Sequence, residues 1–218
     1  MLNIALDGPA GSGKSTIAKQ LSKSLSILYL DTGAMYRACA LKAKKLGISS
    51  NDEEKVNTII NDIDITVKYV DGAQKTYLDG EDVSTAIREN EISMMASNIS
   101  AIKSVRLKLV ELQREIAKVT DCVLDGRDIG THVLPNANYK FYVTASLDVR
   151  AERRYLELLA RGQNVDKDAL KKEMEIRDYN DSHREFAPLK QAEDAILLDT
   201  SNMSIEEVIN TVISYINR

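Results

Sequence analysis

A glycine-rich segment near the start of the chain, residues 7–16, constrains the possible folds more than any other part of the sequence. From Gly8 it reads Gly-Pro-Ala-Gly-Ser-Gly-Lys-Ser, the pattern G-x-x-x-x-G-K-S, and it directly follows the apolar residues 2–6. A strand, a glycine loop and a helix in this order are typical of a phosphate-binding loop. Such a loop binds phosphate through main-chain N–H groups and the helix N-terminus. We therefore predict a nucleoside triphosphate site here, and a plain glycine-rich turn is the alternative.

The residue types in this loop predict distinct roles in phosphate and metal binding. Lys14 can reach the β- and γ-phosphates, and the hydroxyl of Ser15 can ligate Mg²⁺. The predicted triphosphate-binding residues are Gly8, Pro9, Ala10, Gly11, Ser12, Gly13, Lys14, Ser15 and Thr16.

The composition predicts one globular domain in a reducing compartment. The chain has 218 residues, of which 44% are hydrophobic and 28% charged, and its net charge of −4 does not favour nucleic-acid binding. The two cysteines, Cys39 and Cys122, lie in apolar patterns, so neither a disulfide nor a metal cluster is expected. No segment has the length of a membrane span, and residues 2–6 are too short for a signal peptide, so we expect a cytoplasmic protein.

Short apolar strands alternate with helices, which predicts a parallel five-stranded sheet with helices on both faces, as in P-loop NTPases. The predicted strands are residues 3–6, 27–30, 122–124, 139–143 and 195–198. Ligand groups belong at the carboxyl ends of such strands, where Asp7, Asp31 and Asp125 lie. Ser204 followed by Glu207 forms a capping box that predicts the start of the last helix.

Residues 63–82 interrupt this alternation with a small antiparallel insertion. Residues 63–70 alternate strictly, Asp71-Gly72 predicts a turn, residues 75–78 can form a return strand, and Asp79-Gly80 predicts a second turn. A helical stretch over residues 86–118 then returns the chain to the core. We expect the insertion to form a subdomain beside the nucleotide crevice.

A second feature of the chain is an arginine-rich helical pair. Six arginines lie between residues 150 and 184, and residues 163–166 break the helix between them. Two arginine-rich helices with a joint between them are typical of a lid that covers phosphates. The alternative is a solvated helical pair with surface arginines.

Three charged clusters predict that the phosphoryl acceptor itself carries a phosphate. In residues 31–37, Thr32 and Gly33 stand at a helix start with Arg37 one turn later, which suits an anion site. In residues 177–184, Arg177, Asp181 and Arg184 share one helix face. The alternatives are a helix cap beside a surface arginine and, in the second cluster, a surface ion pair.

The third cluster follows the predicted strand 122–124. Asp125 closes this strand, where a carboxylate can orient Mg²⁺ through water. Arg127 can neutralise phosphate, and Asp128 can accept hydrogen bonds from an amino group. The alternative is that Arg127 and Asp128 pair with each other or with solvent.

These motifs closely resemble those of the bacterial cytidylate kinases, through residues 7–16, 31–37, 125–131 and 177–189. The resemblance extends over nearly the whole chain and includes the β-rich insertion. It implies phosphoryl transfer from ATP to CMP or dCMP with Mg²⁺, by an enzyme that is a monomer. From the net charge and the lack of a membrane-length apolar segment, we expect neither nucleic acid nor a membrane as a partner. It also implies one domain in three parts. These are a core (about 1–31, 119–148 and 186–218), a monophosphate-binding subdomain (about 32–118) and a lid (about 149–185).

The resemblance further implies a role for each matching residue. The residues implied in catalysis are Lys14, Arg127, Arg177 and Arg184. Those implied in acceptor binding are Thr32, Arg37, Ser97, Arg106, Arg127, Asp128, Arg177, Asp181 and Arg184. Among them, Ser97, Arg106 and Asp128 would read cytosine, because two can accept from its amino group and the arginine can donate to its ring. Ser15, and Asp125 through water, would hold the metal.

Other interpretations of the phosphate-binding loop remain open. The same fold can phosphorylate UMP, AMP or a non-nucleotide acceptor, although the insertion at 63–82 counts against AMP. A GTPase-like switch would carry an N-K-x-D motif, which this sequence lacks. A nucleic-acid-binding ATPase would need a basic surface stripe.

Overall fold

The computed structural model describes residues 1–70 and 73–216, and the chain divides into two compact units. Unit 1 contains Met1–Tyr29 and Thr120–Arg218, and unit 2 contains Leu30–Val119. The predicted turn at Asp71-Gly72 lies outside the described residues.

The predicted strands and helices occur in the predicted order, and the structure adds a helix at Glu53–Ile60 and a short strand at Glu81–Asp82. The strands are β1 (Asn3–Asp7), β2 (Leu28–Asp31), β3 (Ile65–Val70), β4 (Ala73–Leu78), β5 (Glu81–Asp82), β6 (Cys122–Gly126), β7 (Tyr139–Thr144) and β8 (Ile196–Asp199). The helices are α1 (Lys14–Leu25), α2 (Thr32–Lys45), α3 (Glu53–Ile60), α4 (Asn90–Ile99), α5 (Lys103–Val119), α6 (Leu147–Ala160), α7 (Lys167–His183) and α8 (Ile205–Ile216).

The main sheet confirms the predicted fold class, with five parallel strands in the order β2-β6-β1-β7-β8. The register places Leu6 of β1 beside Asp125 of β6, and Asp7 beside Gly126. The carboxyl ends of the central strands therefore meet at one edge of the sheet, where open α/β sheets bind ligands.

The core of unit 1 forms where α1 and α8 pack on this sheet. Ile17 and Leu21 of α1 recur at helical spacing and join Phe141 of β7 and Val208 of α8 in one buried cluster. Each such fully buried side chain contributes about 1.5–3 kcal/mol of transfer free energy. The capping box of α8 is confirmed, since Glu207 N–H donates to Ser204 Oγ and Ser204 N–H donates to Glu207 Oε2.

The helices α6 and α7 confirm the predicted break at residues 163–166. Asp166 caps α7 by accepting a hydrogen bond from the Ala169 N–H at 2.6 Å. Ala151, Leu158, Leu170 and Met174 are buried together in a small cluster between the two helices.

Unit 2 contains the predicted antiparallel insertion. β3 and β4 pair from Ile65↔Leu78 to Val70↔Ala73, and the two-residue strand β5 adds a third strand. The helical stretch predicted over residues 86–118 is divided into a 3₁₀ turn (Ala86–Arg88), α4 and α5. Among the helices of the described residues, none is long and apolar enough to cross a membrane.

Candidate functional site

In unit 1, the glycine-rich loop surrounds the ammonium group of its own lysine, Lys14. Lys14 stands in the first turn of α1, is 5% exposed, and donates from Nζ to the Pro9 carbonyl at 2.6 Å and to Ser12 Oγ at 3.2 Å. Burial and, next, the nearby Arg127 lower the pKa of Lys14 to about 7. An anion bound in the loop would offset both effects, so this lysine is suited to a phosphate ligand.

Ser15 and Asp125, the two residues predicted to hold a metal, lie together where β6 ends. The Ser15 hydroxyl donates to Asp125 Oδ2 at 2.5 Å, and the Tyr29 hydroxyl donates to Oδ1 at 3.3 Å. A hydroxyl and a carboxylate are hard oxygen donors that fit Mg²⁺. Within the described residues no three His, Cys, Asp or Glu side chains cluster as metal ligands. A magnesium ion here would therefore take its other ligands from water and phosphate, which is its usual preference.

Three of the arginines predicted for the acceptor, Arg127, Arg177 and Arg184, lie near Asp181 of α7. Arg127 Nε donates to Asp181 Oδ2 at 2.8 Å, and Arg184 Nη1 lies 3.9 Å from Oδ1. Burial would raise the pKa of Asp181, but Arg127, then Arg177 and Arg184, hold it below its ordinary value. This carboxylate is therefore ionised at neutral pH and fixes a group of positive charges at the edge of the sheet.

Asp128 lies beside the same cluster. Arg184 Nη2 donates to Asp128 Oδ1 at 3.5 Å, and both side chains are 6% exposed. Arg184 Nε also donates to the Ala187 carbonyl at 2.8 Å. The structure thus brings together Arg127, Asp128, Asp181 and Arg184 within unit 1, from the loop after β6 and the end of α7.

Two residues to which the sequence motifs assigned no specific role support this site. Asp7 precedes the glycine loop and accepts hydrogen bonds from the main-chain N–H groups of Ile129 and Gly130, each at 2.7 Å. Burial, only partly offset by these two hydrogen bonds, raises the pKa of Asp7 to about 6. Asp7 therefore ties the loop that carries Arg127 and Asp128 to the end of β1.

Arg150 of α6 is the second such residue. Its Nη1 donates to the Ala10 carbonyl at 3.1 Å and to Asp178 Oδ2 at 2.5 Å, and its Nε donates to the Ala145 carbonyl at 2.9 Å. The glycine loop is thereby joined to both α6 and α7. The arginine-rich composition of this segment was the available signal, but spacing alone did not identify which arginine does this.

In unit 2, the residues predicted for an anion site surround the start of α2. Asp31 caps this helix by accepting from the Ala34 N–H at 2.9 Å, and Thr32 is its buried first residue. Arg37 Nη2 donates to Asp31 Oδ2 at 3.0 Å. A Cβ at Gly33 would lie 3.1 Å from Arg37 Nη1, so the missing side chain lets the guanidinium approach the helix N-terminus.

The two unit 2 residues predicted to read a base lie on α4 and α5. Arg106 is 1% exposed, donates from Nη1 to the Ser100 carbonyl at 3.1 Å, and lies over the Tyr36 ring at 5.5 Å. Ser97 is half-buried on α4. Asp128, the third residue assigned to the base, belongs to unit 1.

Comparison with known proteins gives matches along nearly the whole chain. The family model described as Cytidylate kinase matches residues 4–218. A protein of Caldicellulosiruptor bescii named Cytidylate kinase is 53% identical over 97% of this chain and 94% of its own length. A protein of Lactobacillus gasseri with the same name is 47% identical over all of this chain and 95% of its own length.

Solved structures with the same fold are more distant in sequence. A gluconokinase from Sinorhizobium meliloti superimposes with a TM-score of 0.53 at 11% identity, covering 100% of this chain and 92% of the other. A shikimate kinase from Bacteroides thetaiotaomicron gives a TM-score of 0.51 at 12% identity, with 100% and 99% coverage. At this identity the likeness concerns the fold alone.

Proposed function

Because this chain belongs to the cytidylate kinase family, we propose that it transfers the γ-phosphoryl group of ATP to CMP or dCMP and produces CDP or dCDP. The observation that carries the proposal is the position of the Arg127–Asp181–Arg184 cluster in the same unit as the glycine loop. Phosphoryl transfer depends mainly on alignment and charge neutralisation, and this unit offers cations for both.

The donor is bound at the glycine loop. The main-chain N–H groups of the glycine loop and the N-terminus of α1 bind its phosphates, and Lys14 neutralises the β- and γ-phosphates. Ser15 and, through water, Asp125 are the residues that would hold Mg²⁺, which neutralises phosphate charge when bound. We infer that Lys14 leaves the Pro9 carbonyl and Ser12 hydroxyl for the phosphates, since a dianion is the stronger acceptor.

We infer that the acceptor is bound mainly through its phosphate, by arginine side chains. In unit 1, Arg127 and Arg184 bind its phosphate, while Arg177 and Asp181 contact the ribose and the phosphates. In unit 2, Thr32 and Arg37 at the start of α2 bind the phosphate. As the γ-phosphoryl group moves, negative charge spreads over its equatorial oxygens, and fixed guanidinium groups stabilise this charge without further reorganisation.

Cytosine is read by Asp128, Ser97 and Arg106. Asp128 and the Ser97 hydroxyl accept from the amino group at C4, and Arg106 donates to the ring. Uracil has a carbonyl at C4, so the Asp128 carboxylate would face an oxygen. A buried site disfavours such a pair strongly, because both acceptors lose their hydrogen bonds to water.

A kinase of the same fold that acts on UMP or AMP is the alternative, and a coupled assay with all four monophosphates distinguishes the two. We expect kcat/KM for CMP and dCMP to exceed that for UMP and AMP by at least about 10²-fold. Equal rates on CMP and AMP would refute the assignment. The cytoplasmic location and the monomeric state stay predictions.

One variant in the same assay tests the base contact. Asp128→Asn should narrow the CMP-over-UMP ratio by about 10-fold or more, because an amide can donate to the uracil carbonyl. Asp148→Asn removes an exposed carboxylate of unit 1 that pairs with Lys171, and it should leave the ratio unchanged. An unchanged ratio in Asp128→Asn would mean that cytosine is read elsewhere.

A further inference from the structure

The geometry points to Arg88 as a second anion-binding residue of unit 2, held beside Arg37 by the shared carboxylate of Asp31. This inference rests on the proposed function and extends it, because no sequence motif marked Arg88. The ligand it would take is the phosphate dianion of the acceptor monophosphate.

Two guanidinium groups from distant parts of the chain meet at one carboxylate oxygen. Asp31 Oδ2 accepts from Arg37 Nη2 at 3.0 Å and from Arg88 Nη2 at 2.9 Å. The other oxygen, Oδ1, accepts from the Ala34 N–H and caps α2. Asp31 therefore orients both arginines and the helix N-terminus together.

The charges in this cluster do not cancel. One carboxylate faces two guanidinium groups, which leaves one positive charge in excess beside the positive end of α2. Burial alone would raise the pKa of Asp31, but Arg37 and Arg88 keep it below its ordinary value, so the carboxylate stays ionised. A bound dianion would complement the remaining positive charge.

Arg88 is exposed enough to receive a ligand, whereas Asp31, the carboxylate that positions Arg88, is buried. The side chain of Asp31 is 9% exposed and that of Arg37 is 16% exposed, whereas that of Arg88 is 47% exposed. A guanidinium carries five N–H donors in a planar fork. Arg88 can therefore keep its contact with Asp31 and present further donors to a phosphate from the solvent side.

A purely structural role for Arg88 makes a different prediction. In that case the ion pair would only fasten the 3₁₀ turn Ala86–Arg88 to α2, and its loss would lower thermal stability without selecting between substrates. A phosphate-binding role instead raises KM for the monophosphate and leaves the nucleoside unaffected.

The test measures KM for CMP, KM for ATP and the inhibition constant of cytidine in Arg88→Gln, Arg88→Lys and Arg37→Gln. We expect Arg88→Gln to raise KM for CMP about 10- to 100-fold, as for a lost charge-assisted hydrogen bond, with KM for ATP within about twofold. Cytidine inhibition should not change, because cytidine has no phosphate. Arg88→Lys should recover part of the loss, since it keeps the charge but not the fork.

Lys45→Gln provides the matched control. Lys45 pairs with Glu81 at 2.6 Å in the same unit, so this variant removes one positive charge and one ion pair away from Asp31. It should leave both KM values within about twofold.

The outcomes separate the inference from the proposed function. If Arg37→Gln raises KM for CMP but Arg88→Gln does not, or if Arg88→Gln weakens cytidine equally, Arg88 is structural and the inference is wrong. If the wild-type protein does not phosphorylate CMP at all, the proposed function itself fails. Asp31→Asn gives a second check, because its amide would face both guanidinium groups as a donor, and it should raise KM for CMP in the same direction.

Discussion

The buried ammonium of Lys14 connects catalysis with stability at the scale of one residue. We predict that Lys14→Met lowers kcat by at least about 10²–10³-fold, because the charge on the transferring group loses a fixed cation. The fold should persist, since Lys14 is held by hydrogen bonds within its own loop. Steady-state kinetics with CMP and far-UV circular dichroism measure the two effects. Lys19→Met, at an exposed position of α1, should retain activity.

The same substitution carries a pH signature. The pKa of Lys14 falls from an ordinary value of 10.5 to about 7 on folding, so between these values the unfolded chain binds more protons than the folded chain. Burial of the charged Lys14 therefore lowers the free energy of unfolding of the wild type most at and below pH 7. This free energy of unfolding increases as the pH rises toward 10. The measurement is the free energy of unfolding in urea at pH 6, 7 and 9. The value for Lys14→Met minus the value for the wild type should decrease as the pH rises. A constant difference would mean that Lys14 is charged throughout this range.

At this scale, functional residues that belong to compact sequence motifs could be predicted from the sequence. Residues whose role depends on contacts with distant parts of the chain could not. Lys14 and Ser15 stand at fixed positions of the glycine loop, and Arg127 follows a strand. Arg88 and Arg150 carry no such pattern, since their partners Asp31, Asp178 and Ala10 are far away in the chain. Only the folded backbone brings those groups within hydrogen-bond distance.

At the scale of elements, the turn from β1 into the glycine loop depends on the absence of a side chain at Gly8. Gly8 has φ of +144°, and a Cβ there would lie 1.9 Å from the Val143 carbonyl oxygen of β7. We predict that Gly8→Ala costs more than about 4 kcal/mol of the free energy of unfolding or prevents folding, because main-chain atoms of a central strand cannot move away. Urea unfolding measures this cost.

Gly47 is the matched control for that substitution. It also has a positive φ, +65°, but a Cβ added there would have no atom within 4 Å. Gly47→Ala should therefore cost only about 1 kcal/mol, the intrinsic penalty of the left-handed backbone. Equal costs at the two positions would show that backbone conformation, rather than the contact with β7, determines the requirement for glycine.

Periodicity predicted the longer elements well and the short ones poorly. The five parallel strands were predicted because each is a short apolar run, and α1 because its buried side chains repeat at helical spacing, as Ile17 and Leu21 do. β5 has two exposed residues and no apolar pattern, and it forms because it pairs with β4. The division of residues 86–118 into a 3₁₀ turn and two helices likewise has no strong Gly or Pro signal.

At the scale of the whole molecule, the residues proposed to bind ligands are divided between the two units. Unit 1 contains the glycine loop, whereas Arg37, Arg88, Ser97 and Arg106 belong to unit 2. Because unit 1 is formed from both ends of the chain, its sheet needs β1 to pair with β6 and β7 across a long insertion. Apolar periodicity identified the strands, but such pairing between distant segments follows from packing rather than from local sequence.

This division predicts separate protection patterns in amide hydrogen exchange. A non-hydrolysable ATP analogue alone should slow exchange in peptides covering residues 8–16, because phosphate orders the N–H groups of the loop. CMP alone should slow exchange in peptides covering residues 31–37 and 97–106 of unit 2. At saturating ligand we expect protection of about 10-fold or more, since a ligand that binds only the closed form of a segment reduces its opening.

UMP at the same concentration is the control for the base contact, and it should protect residues 97–106 less than CMP does. If CMP protected only unit 1, the assignment of Arg37, Ser97 and Arg106 to the acceptor would be wrong, while the assignment of the donor to the glycine loop would stand.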